Sequence, residues 1–307
     1  MAVTVTQLVA FLRTVQRGSV TAAAAELVVT QPSVSAAINA LEREVGVPLM
    51  QRDVRGLRPT PAGQVYAAYA NDVLGLLKQG ARAAHEAHDR ALRTLRIGAV
   101  TTAGEHLVAP LLRVFHEAHP ELEIMLHVGN REDVFDRLVA HDIDVAITGR
   151  LPDGLPIHGE RIAPNEFVLI TSPGDPLAKR SVVSVAELAD RAWLVREPGS
   201  GTRAVSEEYL ASHELQPRLL TLGSNGAIKQ AVAFGLGIAL QSRFAVQLEL
   251  GVGMLSLIRP REGLPLRHWH VAYSAIGPMR DEVSAFVQFA QSRAAQRALG
   301  NPVVTGS

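Results

Sequence analysis

The chain has 307 residues and a mass of 32.9 kDa, enough for about two domains of roughly 100 to 200 residues each. With 47% hydrophobic and 20% charged residues, it has the apolar content to bury a full core and is no disordered chain. Its 30 Lys and Arg balance its 30 Asp and Glu, so any surface for nucleic acid must be local, and the lack of cysteine excludes disulfides, a thiol nucleophile, iron-sulfur clusters and thiolate zinc sites. The first dozen residues carry Thr4, Thr6 and Gln7, run into Arg13 and Arg17, and lack the pattern of a secretory signal. Apolar runs elsewhere stop short of the ~20 residues a membrane helix needs, and the expected location is cytoplasmic, with no membrane partner.

The neutral total hides a division. Residues 1–95 hold 10 basic and 7 acidic side chains, the remainder 20 and 23. Three segments follow from the patterning: a helical head (1–60), one long connecting helix (61–91) and an α/β body (92–307). In the head, Ser19 is placed to cap a helix running to Leu27, with small residues Ala22 to Ala25 for close packing. Thr30 caps the next, with Gln31 and Pro32 in its first turn. Val34, Ile38, Leu41 and Val45 then form an apolar stripe that must face a core. Gln31, Ser35 and Asn39 fall on another face, where short amide and hydroxyl side chains suit the edges of bases in a DNA major groove; alone, such a stripe is more often a solvated polar face. Gly46 stops the helix, Leu49 and Met50 return to the core, and Arg52, Arg55 and Arg58 recur at three-residue spacing around Gly56. Such arginines are placed for phosphates or a minor groove.

The run GSVTAAAAELVVTQPSVSAAINALEREVGVPLMQRDVRGLRPTPAG closely resembles the amino-terminal signature of LysR-type transcriptional regulators. It departs in having Met50 where that family usually has Phe, and Ala37 where a longer polar residue is common. The resemblance implies a winged helix-turn-helix in which Gln31, Ser33 and Ser35 touch bases or nearby phosphates and Arg52 is a wing contact.

Thr60 and Pro61 open the long helix. Val65, Tyr69, Val73, Leu76 and Leu77, followed by Ala84, Ala87 and Ala91, make a stripe best covered by a second copy. Gly80 interrupts that pattern and is expected to loosen the helix. In LysR-type proteins this helix forms an antiparallel dimer, which implies a homodimer or homotetramer and a pseudo-palindromic double-stranded operator.

In the body, LRIGAV, LEIMLHV and DVAITG alternate with helical stretches, a β-α-β-α-β order that predicts a parallel sheet with ligands at the carboxyl ends of its strands. Those ends carry Thr101, Thr102, Val128 to Asn130 and Thr148. A second α/β unit holds PGSGTR, in which Gly199 and Gly201 leave backbone N–H groups accessible and Ser200, Thr202 and Arg203 add donors at a helix start; it is neither a Walker loop nor a dinucleotide turn. Ser224 or Asn225 caps a further helix. The family resemblance implies a periplasmic-binding-protein-like effector domain of two lobes, the first about 92–163 plus 269–295 and the second about 164–268. A small metabolite would sit between them on Thr101, Thr102, Thr148, Ser200, Thr202 and Ser224. Arg203 nearby favours an anionic ligand, with Val100 and Phe234 as apolar walls, and the REPGSGTR run looks most like members governing carbon fixation or sulfur assimilation.

No nucleophile and base, or poised acid and base, form a local constellation. His268 and His270 flank Trp269 without a third metal ligand, and HEAH at 85–88 and 116–119 misses the HExxH spacing. No cofactor or metal is expected. An intracellular solute-binding protein, or an enzyme with an appended DNA-binding head, would each account for part of the chain. A regulator whose operator binding shifts when a metabolite favours one lobe arrangement accounts for all three segments.

Overall fold

The computed structural model describes residues 2–53, 56–88 and 93–300, which form two compact units. The head opens with α1 (Val5–Arg17), α2 (Val20–Leu27) and α3 (Gln31–Val45), followed by β1 (Met50–Asp53), β2 (Gly56–Pro59) and α4 (Pro61–His88). Thr4, Ser19 and Thr30 each place a hydroxyl on a first-turn N–H of their helix, satisfying donors a helix start leaves unpaired. Phe11, Ala23, Val34, Ile38, Leu41 and Leu49 meet in one core. Glu42 accepts from the backbone N–H of Leu49 at 2.7 Å and of Met50 at 2.9 Å, which fixes where the chain turns into the β1-β2 hairpin.

Thr60 joins that hairpin to α4. Its Oγ1 donates to the Pro48 carbonyl at 2.8 Å and accepts from the Gly63 N–H at 2.9 Å. A Cβ on Gly63 would stand 1.9 Å from the Leu49 carbonyl oxygen, so only glycine permits this approach. Helix α4 continues unbroken through Gly80: a single helical glycine costs only ~1 kcal/mol and does not loosen the helix here.

The second unit begins with β3 (Thr94–Val100), α5 (Thr101–His106), α6 (Val108–Ala118), β4 (Glu123–Gly129), α7 (Arg131–Val139) and β5 (Val145–Thr148). The sequence suggests a single helix after β3, but two form. Pro110 has no N–H, and its ring opposes the carbonyl of His106 four residues back, which is where α5 stops. The chain continues through β6 (Ile157–Thr171), β7 (Trp193–Val195), α8 (Gly201–Ser212), β8 (Leu219–Thr221), α9 (Asn225–Ala233), β9 (Ala239–Ser242), α10 (Arg243–Gly251), β10 (Ser256–Ile258), β11 (Leu266–Ser274), α11 (Asp281–Gln291) and α12 (Arg293–Gly300).

Strand β3 lies between β4 and β5, parallel to both, as the β-α-β-α-β pattern requires. Strand β11 then enters antiparallel, pairing β5 on one side and β6 on the other. Residues Ile157–Glu166 of β6 pair with β11, whereas Phe167–Thr171 pair with β9 and β10. One long strand thus crosses between two lobes, and the chain returns where Pro265 accepts from the Phe167 N–H at 3.2 Å. The first lobe is built on a core of Leu95, Ile97, Leu111, Phe115, Trp269 and Phe286. The second has apolar clusters on both faces of its sheet, one around Trp193 and Leu240, the other around Ile170 and Ile228. Among the described residues, no helix is long and apolar enough to cross a membrane.

Gly63→Ala is expected to destabilise the head by about 1 to 3 kcal/mol through overpacking, read as an earlier thermal transition. An unchanged transition would mean that the Leu49 backbone yields freely.

Candidate functional site

Two sets of side chains stand out, one in each unit. In the head, α3 leaves Gln31, Ser33 and Asn39 exposed and Ser35 half-buried, while Val34, Ile38 and Leu41 are buried on the opposite side. The Ser33 hydroxyl pairs with Thr30 Oγ1 at 2.7 Å, so this candidate is partly engaged in the helix cap. In the hairpin, Arg52 stands opposite Leu57 and Arg58 opposite Gln51. Adjacent register positions project from opposite faces, so these arginines do not form the single row their spacing suggests. Arg58 lies 3.3 Å from the Asp53 carboxylate, and Arg52 is exposed. Arg55 lies outside the described residues.

The second set lines a cavity of about 610 Å³ in the α/β body. The first lobe contributes Thr101, Thr102 and Thr148, and the second Ser200, Thr202 and Arg203; residues separated by a hundred positions converge because β3 and β5 end there and α8 begins there. Thr102 and Thr202 face each other across it, their hydroxyl oxygens 3.4 Å apart. Thr101 donates to the Gly129 carbonyl at 3.1 Å and Thr148 to the Arg150 carbonyl at 3.2 Å. Ser200 precedes α8 without a side-chain cap, and the first turn of that helix, Gly201 to Arg203, lies in the wall, presenting N–H groups and the positive end of the helix dipole.

Two expectations need correction. Ser224 does not line the cavity: its hydroxyl accepts from the Ala227 N–H at 3.1 Å as the cap of α9. Phe234 ends that helix 88% exposed; Val100 lines the cavity as expected, and Phe167 and Trp269 take the place of Phe234. Arg203 is in the wall, but its guanidinium is committed to Glu207 at 2.7 Å, the Arg196 carbonyl at 3.0 Å and Thr221 at 3.3 Å.

The cationic lining was largely missed. Arg131, Arg150, Arg196 and Arg267 join Arg203, facing the acids Asp153, Glu207 and Glu208. Glu208 bridges Arg150 at 2.8 Å and Arg267 at 2.7 Å. Arg196 is 3% exposed and donates from Nε and Nη2 to the Glu197 carboxylate at 2.7 and 2.8 Å. Burial pushes the Glu197 carboxyl up, but the Arg196 hydrogen bonds, a backbone N–H and the nearby guanidinium charges outweigh it and hold it below the usual carboxylate range. The sequence signal for Arg196 lay in REPGSGTR, beside the glycines that drew attention instead. Among the described residues no group of three or more His, Asp or Glu is placed to hold a metal; His268 and His270 sit in β11 across a register shift opposite β6.

Residues 88–295 match the family model described as LysR substrate binding domain, and residues 5–64 match that of the bacterial regulatory helix-turn-helix protein, lysR family. The chain belongs to the LysR family. This LysR-type transcriptional regulator is 35% identical to the HTH-type transcriptional regulator CfxR of Cupriavidus necator, over 93% of this chain and 91% of that protein. It is 30% identical to the RuBisCO operon transcriptional regulator of Acidithiobacillus ferrooxidans, over 93% of each, and 31% identical to the HTH-type transcriptional regulator CysL of Bacillus subtilis, over 78% of this chain and 81% of that protein, so relatives of both kinds suggested by REPGSGTR are found. The solved regulatory domain of Synechocystis PCC6803 CcmR in complex with 2-PG superposes with a TM-score of 0.61 at 31% identity, covering 64% of this chain and 95% of that one.

Two outcomes follow for this regulator. Arg52→Ala should weaken operator binding and reduce the slope of log affinity against log salt by about 0.9, the share of one phosphate contact; an unchanged slope would remove Arg52 from the phosphates. Burial, aided by Lys229, holds His106 below the ordinary imidazole range, and burial with Arg161 does the same for His270. The unfolded chain therefore takes up these protons first, and stability falls as pH drops below about 6.5. His270→Gln should flatten the decline in thermal midpoint between pH 7.5 and 5.5.

Proposed function

We propose that this LysR-type regulator reads a small anionic metabolite, bearing a phosphate or carboxylate, in the cavity of its α/β body. The observation that carries the reading is the buried Arg196 beside the N-terminal turn of α8, in a cavity where five arginines face three acids. Oriented N–H groups, a helix dipole and a poorly solvated guanidinium together favour a compact negative charge. The 2-PG held by the related CcmR domain has that character and is the first compound to test.

The cavity is read as binding its ligand without converting it. Its threonine hydroxyls pair with one another or with backbone carbonyls, an arrangement that orients a ligand and does not activate a nucleophile. In the head, Gln31, Ser33, Ser35 and Asn39 are assigned to base edges or adjacent phosphates and Arg52 to the backbone. Val65, Tyr69, Val73 and Leu77 are exposed along α4, at 63%, 68%, 46% and 52%, an apolar stripe that a second copy of the helix would cover. Two paired heads imply an operator with two-fold symmetry.

The deciding experiment is calorimetric titration of the full-length protein with 2-PG, inorganic phosphate and neutral polyols, alongside footprinting of the strongest-bound genomic fragment. Binding of 2-PG with a shifted footprint and no chemical change in the ligand is expected. Thr202→Ala, and likewise Thr102→Ala, should weaken 2-PG binding about tenfold, the effect of losing one buried hydrogen bond to a charged group, and leave ligand-free DNA affinity unchanged. Preference for a neutral ligand would overturn the anionic reading, and turnover would favour an enzyme with a regulatory head.

A further inference from the structure

Asn225 is fully buried at the first position of α9, directly after its cap, and it touches both lobes. Its Oδ1 accepts from Arg196 Nη1 at 2.8 Å. Its Nδ2 donates to Thr102 Oγ1 at 3.2 Å and to Glu105 Oε2 at 3.1 Å. Arg196 and Asn225 belong to the second lobe, and Thr102 and Glu105 to α5 of the first. The amide has one workable orientation: turned over, it would set an NH₂ against the guanidinium and an oxygen against the carboxylate.

Arg196 is fixed by the same bonds. Of the five N–H groups of a guanidinium, three are engaged, two by Glu197 and one by Asn225. The remaining donors, one on each terminal nitrogen, belong to a residue that lines the cavity. Thr102, the other partner of Asn225, is in that wall too and faces Thr202. One buried amide therefore joins the arginine best suited to hold an anion to the helix that must move if the lobes part.

We propose that Asn225 is a positioning residue that aims Arg196 at the cavity and, through the same amide, fastens α5 across the cleft, so that capture of an anion and seating of the two lobes are a single coupled event. The coupling to ligand rests on the anionic reading above; the fastening of α5 does not. An anion on Arg196 holds the guanidinium in the pose in which it engages Oδ1, which keeps Nδ2 directed at Thr102 and Glu105. Opening the lobes breaks both Nδ2 bonds and exchanges them for bonds to water, so the net contribution of two buried hydrogen bonds, one of them to a carboxylate, is lost.

The test is amide hydrogen exchange in the full-length protein, with and without 2-PG, for wild type, N225A, N225D, E105Q and N225D/E105Q. Without ligand, N225A should speed exchange in α5 about tenfold while α3 and α11 keep their wild-type rates. N225D sets a carboxylate against Glu105 and should do the same. N225D/E105Q reverses donor and acceptor across that contact and should return α5 to within about twofold of wild type. With 2-PG, wild type should gain protection in α5, whereas N225A should bind about tenfold more weakly and gain none. Wild-type α5 exchange in N225A would overturn the proposal, as would faster exchange throughout the body with no rescue in N225D/E105Q, which would mark Asn225 as a packing residue. If neither 2-PG nor inorganic phosphate binds wild type, the anionic reading fails and the ligand-free comparison still decides whether Asn225 ties the lobes.

Discussion

A guanidinium cannot be deprotonated at any pH a protein tolerates, so burying one to 3% exposure dictates what must surround it. At Arg196 that demand is met by a carboxylate from the next residue and an amide from another helix. Glu197 neutralises the charge locally, and Asn225 extends its order into the neighbouring lobe. The result is a buried guanidinium in the cavity wall, neutralised on one side and held in one geometry, the combination that makes a charged hydrogen bond strong.

The two units use polar groups in opposite physical regimes. On α3 the candidate reading residues are short, mostly exposed and weakly held, suited to a surface that meets a hydrated groove. In the body Thr102, Thr202, Arg196 and Asn225 are buried and bonded to one another, suited to discriminating one small molecule from another. On the reading proposed above, that contrast lets a chain of balanced charge serve an acidic polymer and a small anion alike: neither surface depends on the total, only on where individual arginines are exposed or enclosed.

The head was almost fully legible, because its signals are local. Ser19, Thr30 and Thr60 sit where a hydroxyl is needed on a helix start, and the glycine after Thr-Pro-Ala stands where a Cβ would strike the Leu49 carbonyl. In the body the order of strands and helices was legible for the same reason, and the threonines at strand ends were placed in the cavity wall. What escaped was set by partners distant in the chain. Asn225 and Ser224 competed for one cap on equal terms; Ser224 took it, and the residue beside it turned inward to meet Arg196 and Glu105. Phe234 had the chemistry of a wall but closes α9 at the surface, while Phe167 and Trp269, which no local pattern marks as cavity residues, form the wall because the chain crosses between lobes next to them.

That double crossing has a consequence for how the protein is made. Strand β11 occupies the slot between β5 and β6, so the first sheet cannot close until residues 266–274 have left the ribosome. The second lobe, whose strands and helices lie between the two crossings, is complete before then. The earlier-encoded lobe therefore finishes last, and β5 and the neighbouring stretch of β6 wait with open edges while the later-encoded lobe folds. A pause or truncation near the end of translation would leave a formed second lobe attached to an unsealed sheet, a species prone to pair with its like.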